Sequence, residues 1–261
     1  MRKKNKIIIL GSNGFISRNL IKNLSKKKVK HIGINRTNCN LENKSSIKIL
    51  KKIINKNDII VFIAANAPVK NSKMLYSNIK ICENICNAIG STKLTKLIYV
   101  SSDAVYMDTK KKINENSICQ SDNLHGVMHY TREQMLINTI KSPICIVRPT
   151  LVYGLDDPHN GYGPNSFFRN AIKDQDIKLF GNGEELRDHI NIDEVTNILT
   201  QIVKSKKTGI YNLVTGRTYS FNHIAKKIIK LTGSNSKIIT TKRIGKMPHN
   251  GYRAFNRNKL N

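Results

Sequence analysis

Between Lys6 and Arg148, short runs of uninterrupted apolar residues alternate with segments of helical periodicity, and this alternation leaves few folds open. Lys6–Leu10, Val29–Ile34, Asp58–Ala65, Leu94–Ser101 and Ile144–Arg148 are predicted strands. Helices are predicted over Gly14–Ser25, Lys44–Asn55, Ser72–Ile89 and Leu124–Lys141. In the first of these, Phe15, Ile16, Leu20, Ile21 and Leu24 fall on one stripe, as an amphipathic helix requires. Strands that are apolar throughout must be buried on both faces. Each is followed by a helix, which implies a parallel sheet covered on both sides with right-handed crossovers. After Pro149 the pattern loosens. Gly154–Asn165, rich in Gly, Pro, Asn and Asp, is a loop. Helices are expected near 166–173, 193–204 and 221–231, and strands at Ile177–Phe180, near Tyr211 and near Ile238.

The loop Gly11-Ser12-Asn13-Gly14-Phe15-Ile16-Ser17 joins the first strand to the first helix. One glycine permits the sharp turn out of the strand. A second lets the backbone approach a pyrophosphate, whose charge then meets the helix N-terminus. Ser17 stands where a third glycine is usual, and its small side chain still allows close packing of helix on strand. In a series of βαβ units such a loop points to a dinucleotide site. The expected fold is therefore α/β, a doubly wound Rossmann-type parallel sheet over residues 1–153. A smaller α/β substrate-binding domain follows at the C-terminal side, residues 154–261, with some elements returning to the first sheet. At the end of the second strand a carboxylate would bond a ribose 2′-hydroxyl, and an arginine would accommodate a 2′-phosphate. The residues there are Gly33-Ile34-Asn35-Arg36, which leans toward NADP over NAD.

Composition excludes several other classes. The net charge of +28 would suit a polyanion partner, but the lysines are spread along the whole chain and mixed with asparagine and isoleucine. No basic run is interleaved with aromatics, so specific nucleic-acid binding is not expected, although non-specific attraction to polyanions is. The five cysteines (Cys39, Cys82, Cys86, Cys119 and Cys145) form no C-x-x-C pair and imply reduced thiols. No stretch nears the roughly 20 apolar residues of a membrane span. Basic residues before Ile7–Leu10 mimic a signal peptide, but the apolar run is too short and glycine follows at once. The expected compartment is the cytoplasm.

Four motifs then occur in order: Gly11-Ser12-Asn13-Gly14 after the first strand and Ala64-Ala65 after the third. Ser101-Ser102-Asp103-Ala104-Val105-Tyr106 follows the fourth, and Arg148-Pro149-Thr150-Leu151-Val152-Tyr153-Gly154 the fifth. Together with Phe180-Gly181-Asn182-Gly183-Glu184-Glu185-Leu186-Arg187-Asp188, they resemble the extended short-chain dehydrogenase/reductase family, in particular its NAD-dependent nucleotide-sugar epimerases and dehydratases. The resemblance runs from about Lys6 to Leu260. It implies oxidation of a sugar hydroxyl by a bound nicotinamide to a keto-sugar, followed by epimerisation, elimination or reduction, in surface-polysaccharide synthesis. It implies that Gly11, Asn13, Gly14, Phe15, Ile16, Arg36, Asn40, Leu41, Ala64, Ala65, His129 and Pro149 contact the cofactor. Ser102 matches the family's catalytic serine. Asp103 stands where dehydratases carry an acidic proton donor, but their next acidic residue is Ala104 here.

The largest departure lies in Leu124-His125-Gly126-Val127-Met128-His129-Tyr130-Thr131-Arg132-Glu133. The family pattern is Tyr-Gly-x-x-Lys with a Glu four residues later, and Gly126 and Glu133 fix the register. His125 then occupies the tyrosine position and His129 the lysine position. Tyr130 is no substitute, because five residues along a helix turn it about 140° away. An unperturbed histidine exchanges protons near neutrality, so His125 could act as acid and base. It is shorter than tyrosine, and His129 lacks lysine's permanent charge. Two readings stay open: an active enzyme, or a catalytically impaired homologue that binds the dinucleotide or nucleotide sugar. The two histidines are also spaced like zinc ligands, but the general-base glutamate is absent and no third ligand is spaced to join them, so no metal is expected.

A nucleotide-sugar substrate carries a diphosphate, which arginines and backbone amides would hold. By resemblance, Arg187 and Arg253 would contact it, and Asn165 would be a polar neighbour of the substrate. Helices Ser72–Ile89 and Leu124–Lys141 could pair across a two-fold as a homodimer, against the chain's charge. Family members usually continue for another helix or more beyond the position of Asn261, which implies either a less covered substrate domain or a truncated product.

Overall fold

The computed structural model describes residues 6–158 and 160–260. The chain begins β1 (Ile7–Leu10), α1 (Phe15–Lys26), β2 (His31–Ile34), α2 (Ser45–Ile53), β3 (Ile59–Phe62), α3 (Ser72–Ile89), β4 (Lys96–Val100), a 3-10 turn (Asp103–Val105), α4 (Leu124–Thr139) and β5 (Ile144–Pro149). It continues β6 (Leu151–Tyr153), α5 (Pro164–Ala171), β7 (Ile177–Phe180), β8 (Leu186–Asn191), α6 (Ile192–Lys204), β9 (Gly209–Leu213), β10 (Thr218–Ser220), α7 (Phe221–Thr232), β11 (Ile238–Thr241) and β12 (Tyr252–Arg253). These elements form two compact units.

The first unit contains the described residues up to Met107, Glu115–Pro149 and Asp193–Leu213. Its sheet has the order β2-β1-β3-β4-β5-β9, and every pairing is parallel. The fully buried strands β1 and β4 supply Ile8, Leu10, Leu97 and Tyr99 to one core cluster, joined by Ile81, Cys82 and Ile85 of α3 and Leu136 of α4. Each such buried Leu or Ile side chain contributes about 1.5–3 kcal/mol relative to exposure. The one charged residue of β4, Lys96, is buried because it meets a helix end. Its Nζ donates to the carbonyls of Ile202, Ser205 and Lys207 at 2.6, 2.8 and 3.2 Å, which satisfies the orphan acceptors at the carboxyl end of α6.

β3 stops at Phe62, short of the predicted Ala65. The amides of Ile63 and Ala64 both turn back to Leu10 O, at 3.0 and 2.8 Å, so the chain leaves the ladder there. That exit brings Ala64 against Gly11. A Cβ on Gly11 would lie 2.6 Å from Ala64 Cα, and Gly11 has φ +93°, so the turn admits only glycine.

The second unit contains Asp108–Asn114, Thr150–Ile192 and the described residues from Val214 onward. β8 is its central strand, antiparallel to β10 and parallel to β12 and β6. β7 and β11 form a separate parallel pair. Phe167, Ala171, Ile177, Leu179, Phe221 and Ala225 make its core, with the Tyr162 ring 4.6 Å from that of Phe221. β8 has no counterpart among the predicted strands. Its sequence Leu-Arg-Asp-His-Ile-Asn breaks the apolar pattern, yet Asp188 is fully buried. The carboxylate accepts from the Thr215 amide and hydroxyl and from the Gly216 amide at 2.7–3.0 Å. Pairing of this kind makes burial of a charged residue tolerable.

Candidate active site

At the end of β1 the glycine loop leads into α1 with Gly14 as its N-cap. No side chain caps the helix, and its first turn holds no acidic residue. The space above Gly14 is open: a Cβ there would meet nothing closer than Gly11 O at 3.6 Å. Ser17 Oγ is buried without a partner among the described residues. Bare amides, an unopposed helix dipole and an orphaned hydroxyl together fit a phosphate-bearing group at this helix end.

The other residues expected to touch a cofactor are placed as follows. Asn13 is exposed, and Phe15 and Ile16 are half-buried in the first turn of α1. Arg36 is 73% exposed in its side chain and stands 3.7 Å from Glu42. Asn40 Oδ1 accepts from the Glu42 amide at 3.2 Å, and Leu41 is a core residue whose carbonyl accepts from Asn84 at 2.9 Å. Ala64 packs on Gly11, Ala65 is exposed, and Pro149 is buried at the end of β5.

Asp103, His125 and His129 come together where the 3-10 turn, capped by Ser102, meets α4. Gly126 makes the approach possible. A Cβ at Gly126 would lie 2.0 Å from the Ala104 carbonyl oxygen, so any other residue would push the helix away. Asn123 caps α4 by accepting from the Gly126 amide, and Ser102 caps the 3-10 turn by accepting from the Ala104 amide at 3.1 Å. The two imidazoles meet edge to face, 4.7 Å between centroids.

His125 is half-buried, and its Nδ1 is buried with no partner among the described residues. Burial lowers its pKa, the nearby Asp103 carboxylate works against that, and the Arg132 charge adds to it. His129 is buried, and its Nδ1 lies 2.8 Å from the Tyr99 hydroxyl. Burial first, then His125 and Arg132, hold its pKa well below the ordinary histidine value. Both rings are therefore neutral at pH 7. His129 cannot carry the fixed charge of a lysine in its place.

Beneath the histidines lies a buried polar support. Arg148 donates to both oxygens of Glu133, at 2.9 and 2.5 Å, and the pair is almost fully enclosed. Ser101 Oγ donates to the same carboxylate at 2.5 Å. Arg148 also lies over the Tyr106 ring, whose hydroxyl donates to Asn212 Oδ1 at 2.7 Å. The network ties the ends of β4, β5 and β9 to α4.

In the second unit, Arg187 and Arg253 are register partners across β8 and β12. Arg187 stands 3.5 Å from Glu185, which also pairs with Arg243 at 3.7 Å. Burial raises the Glu185 pKa despite the two arginines. Arg253 is buried and donates to Asp108 at 2.9 Å, and Asp108 also takes His249 at 2.6 Å. Asn165 accepts from the Gly154 amide at 3.0 Å and donates to Asp157 at 2.5 Å, on the wall of a cavity of about 420 Å³. His189 faces a cavity of about 250 Å³, and burial pushes its pKa down to about 4.

Sequence reasoning missed Tyr99, Arg132, Glu185, Arg243, Asp108 and His249. For the acids a signal existed: with 17 acidic residues against 45 basic ones, each carboxylate near an expected anion site deserved a partner. Among the described residues, no three His, Cys, Asp or Glu side chains gather as a metal site, and no helix is long and apolar enough to cross a membrane.

Comparison with known proteins gives a consistent result. A family model described as "NAD dependent epimerase/dehydratase family" matches residues 7–213. A dTDP-D-glucose 4,6-dehydratase from Dictyostelium discoideum is 27% identical over 87% of this chain, which spans 62% of that protein's length. A UDP-glucose 4-epimerase from Thermotoga maritima, solved with UDP-glucose, superposes with a TM-score of 0.85 at 18% identity, covering 98% of this chain and 91% of that one. A UDP-glucuronic acid 4-epimerase from Bacillus cereus, solved with UDP-glucuronic acid and NAD, gives 0.83 at 21% identity, covering 97% and 91%.

Proposed function

The chain belongs to the NAD dependent epimerase/dehydratase family, and from that premise we propose that it oxidises a hydroxyl of a nucleotide-linked sugar to a keto-sugar, with His125 as proton acceptor. The observation that carries this reading is the half-buried His125 held near Asp103 by the close approach of Gly126 to the Ala104 carbonyl. A nicotinamide dinucleotide bound at the glycine loop would supply the hydride acceptor. Gly11, Gly14 and the bare first turn of α1 would hold its pyrophosphate, and Ala64, Ala65 and Pro149 would line its path. Arg36 would favour the phosphorylated form.

A sugar hydroxyl must lose a proton as its carbon loses hydride. A neutral imidazole can take that proton at Nε2, since Nδ1 is buried. Ser102 Oγ would bond the same hydroxyl. Once protonated, His125 is a stronger acid than a free imidazolium and would return the proton when the keto-sugar is reduced. Arg187, Arg253 and Asn165 are proposed for the substrate half, with Arg187 nearest to a charge surplus because Glu185 serves two arginines. The nucleotide-sugar relatives support the substrate class. Surface-polysaccharide synthesis in the cytoplasm, by a homodimer, is the proposed setting.

A second reading rests on His129. Buried, neutral and bonded to Tyr99, it leaves the site without a lysine's charge, which favours a binding protein with impaired chemistry. One experiment separates the two. Binding of oxidised and reduced nicotinamide dinucleotides is measured first, and a panel of nucleotide sugars is then scored for product. The same panel is run on the double variant His125→Tyr, His129→Lys. Turnover by the native chain that the double variant loses is the expected outcome. A silent native chain and a large gain in the variant would overturn the first reading in favour of the second.

A further inference from the structure

Arg132 lies on α4 three residues beyond His129 and seven beyond His125, and it is fully buried. Among the described residues its guanidinium bonds to uncharged acceptors. Nε and Nη2 donate to the Asn78 carbonyl at 2.9 and 2.7 Å, Nη2 also reaches Asn78 Oδ1 at 3.0 Å, and Nη1 donates to the Ala64 carbonyl at 2.9 Å. No carboxylate pairs with it among the described residues. Arg148, equally buried, has Glu133 against it. The nearest acid along the helix, Glu133, is therefore already committed.

The guanidinium carbon stands 4.9 Å from the Phe62 ring centroid. Phe62 packs on Tyr99 at 5.1 Å, and Tyr99 bonds His129. An arginine does not lose its proton in a protein. Neutral dipoles can offset its desolvation but do not cancel its charge, and a poorly polarisable interior screens that charge weakly.

We propose that Arg132 is a positioning residue that supplies the fixed positive charge of this site, from one turn along α4 beyond His129. The inference rests on the reading of His125 as proton acceptor, but its first consequence is independent of turnover. A lysine at position 129 would place a cation beside the reacting group. Here the cation stands one turn deeper and acts on two imidazoles. The groups facing the pair are few. Asp103, from the 3-10 turn, opposes Arg132 at His125. Tyr99, from β4, and Cys82, from α3, are both held protonated by their surroundings. The guanidinium also joins α4 to the loop after β3 through Ala64, so the charge lies beside the backbone proposed to carry the dinucleotide.

The test is the titration of the His125 and His129 rings, followed by NMR in the chain without substrate. Variants Arg132→Gln, Arg132→Lys and Asn78→Asp are compared with the native chain. Arg132→Gln is expected to move both midpoints up, as removal of a nearby positive charge does, and Arg132→Lys to restore them. Asn78→Asp keeps the guanidinium but sets a carboxylate on it, and should also move both midpoints up. If Arg132→Gln does not fold, Asn78→Asp decides alone. Unchanged midpoints in the folded variants, or a rise with Gln that Lys fails to restore, would overturn the proposal. An inactive native chain whose midpoints move as expected would remove the enzyme reading alone.

Discussion

The glycine loop after β1 and the face of α4 that carries the histidines handle charge in opposite ways. At the loop the backbone does the work: bare amides, an open space above Gly14 and no acid in the first turn of α1. On α4 the side chains do it. Two neutral imidazoles rest over an arginine without an acid and next to an arginine that has one. Binding built from backbone geometry tolerates side-chain change, as Ser17 in a glycine position illustrates. Proton transfer does not, because each replacement alters charge, reach and affinity for protons together. On the proposed reading, dinucleotide binding and chemistry would thus be encoded separately in this chain.

The largest test of that separation is Glu133→Gln. It leaves the Arg148 guanidinium buried without its anion and should cost about 3–5 kcal/mol of stability in chemical denaturation. At temperatures where the variant is folded, its dinucleotide affinity should match the native chain's. A parallel loss of affinity would show that the two regions are coupled.

A smaller effect follows from pH. His125, His129 and His189 all have folded-state pKa values below 6.5. The unfolded chain therefore binds more protons than the folded one as pH falls through that value. Stability is complete above it and is lost on descent toward the folded values, about 4 for His189. Each histidine contributes at most about 1.4 kcal/mol per pH unit. Urea midpoints at pH 7 and pH 5 would check this, and a flat profile would mean that folding leaves the proton affinity of the rings unchanged.

The smallest effect belongs to Arg36. Its side chain is mostly in solvent, so Arg36→Ala should weaken NADP binding by no more than about 1 kcal/mol, roughly fivefold, and leave NAD unaffected. Equal losses for both dinucleotides would remove Arg36 from the choice of cofactor.

Much of the parallel sheet was legible in the sequence because fully apolar strands and amphipathic helices carry distinct periods. α3 spans the residues its pattern predicts, and β1 and β5 differ from theirs by a single terminal residue. β8 was not legible, since its burial depends on Asp188 finding amides at Thr215 and Gly216, far along the chain. The same holds for the site. His125 and His129 stand out as motif departures that sequence alone can register. Tyr99 and Arg132 do not, because an apolar strand hides a tyrosine and a basic chain hides an arginine. Only the distances to His129, Asn78 and Ala64 distinguish them from their neighbours.

On the proposed reading of His125 as proton acceptor, the contact at Gly126 would also limit which molecules react here. With the Ala104 carbonyl closed against it, α4 has no room to slide forward and make up for the shorter imidazole at position 125. The missing length must come from the other partner. A hydroxyl bridged by a single ordered water would span the gap. On that reading a glycine, with no side chain of its own, would help to select what reacts.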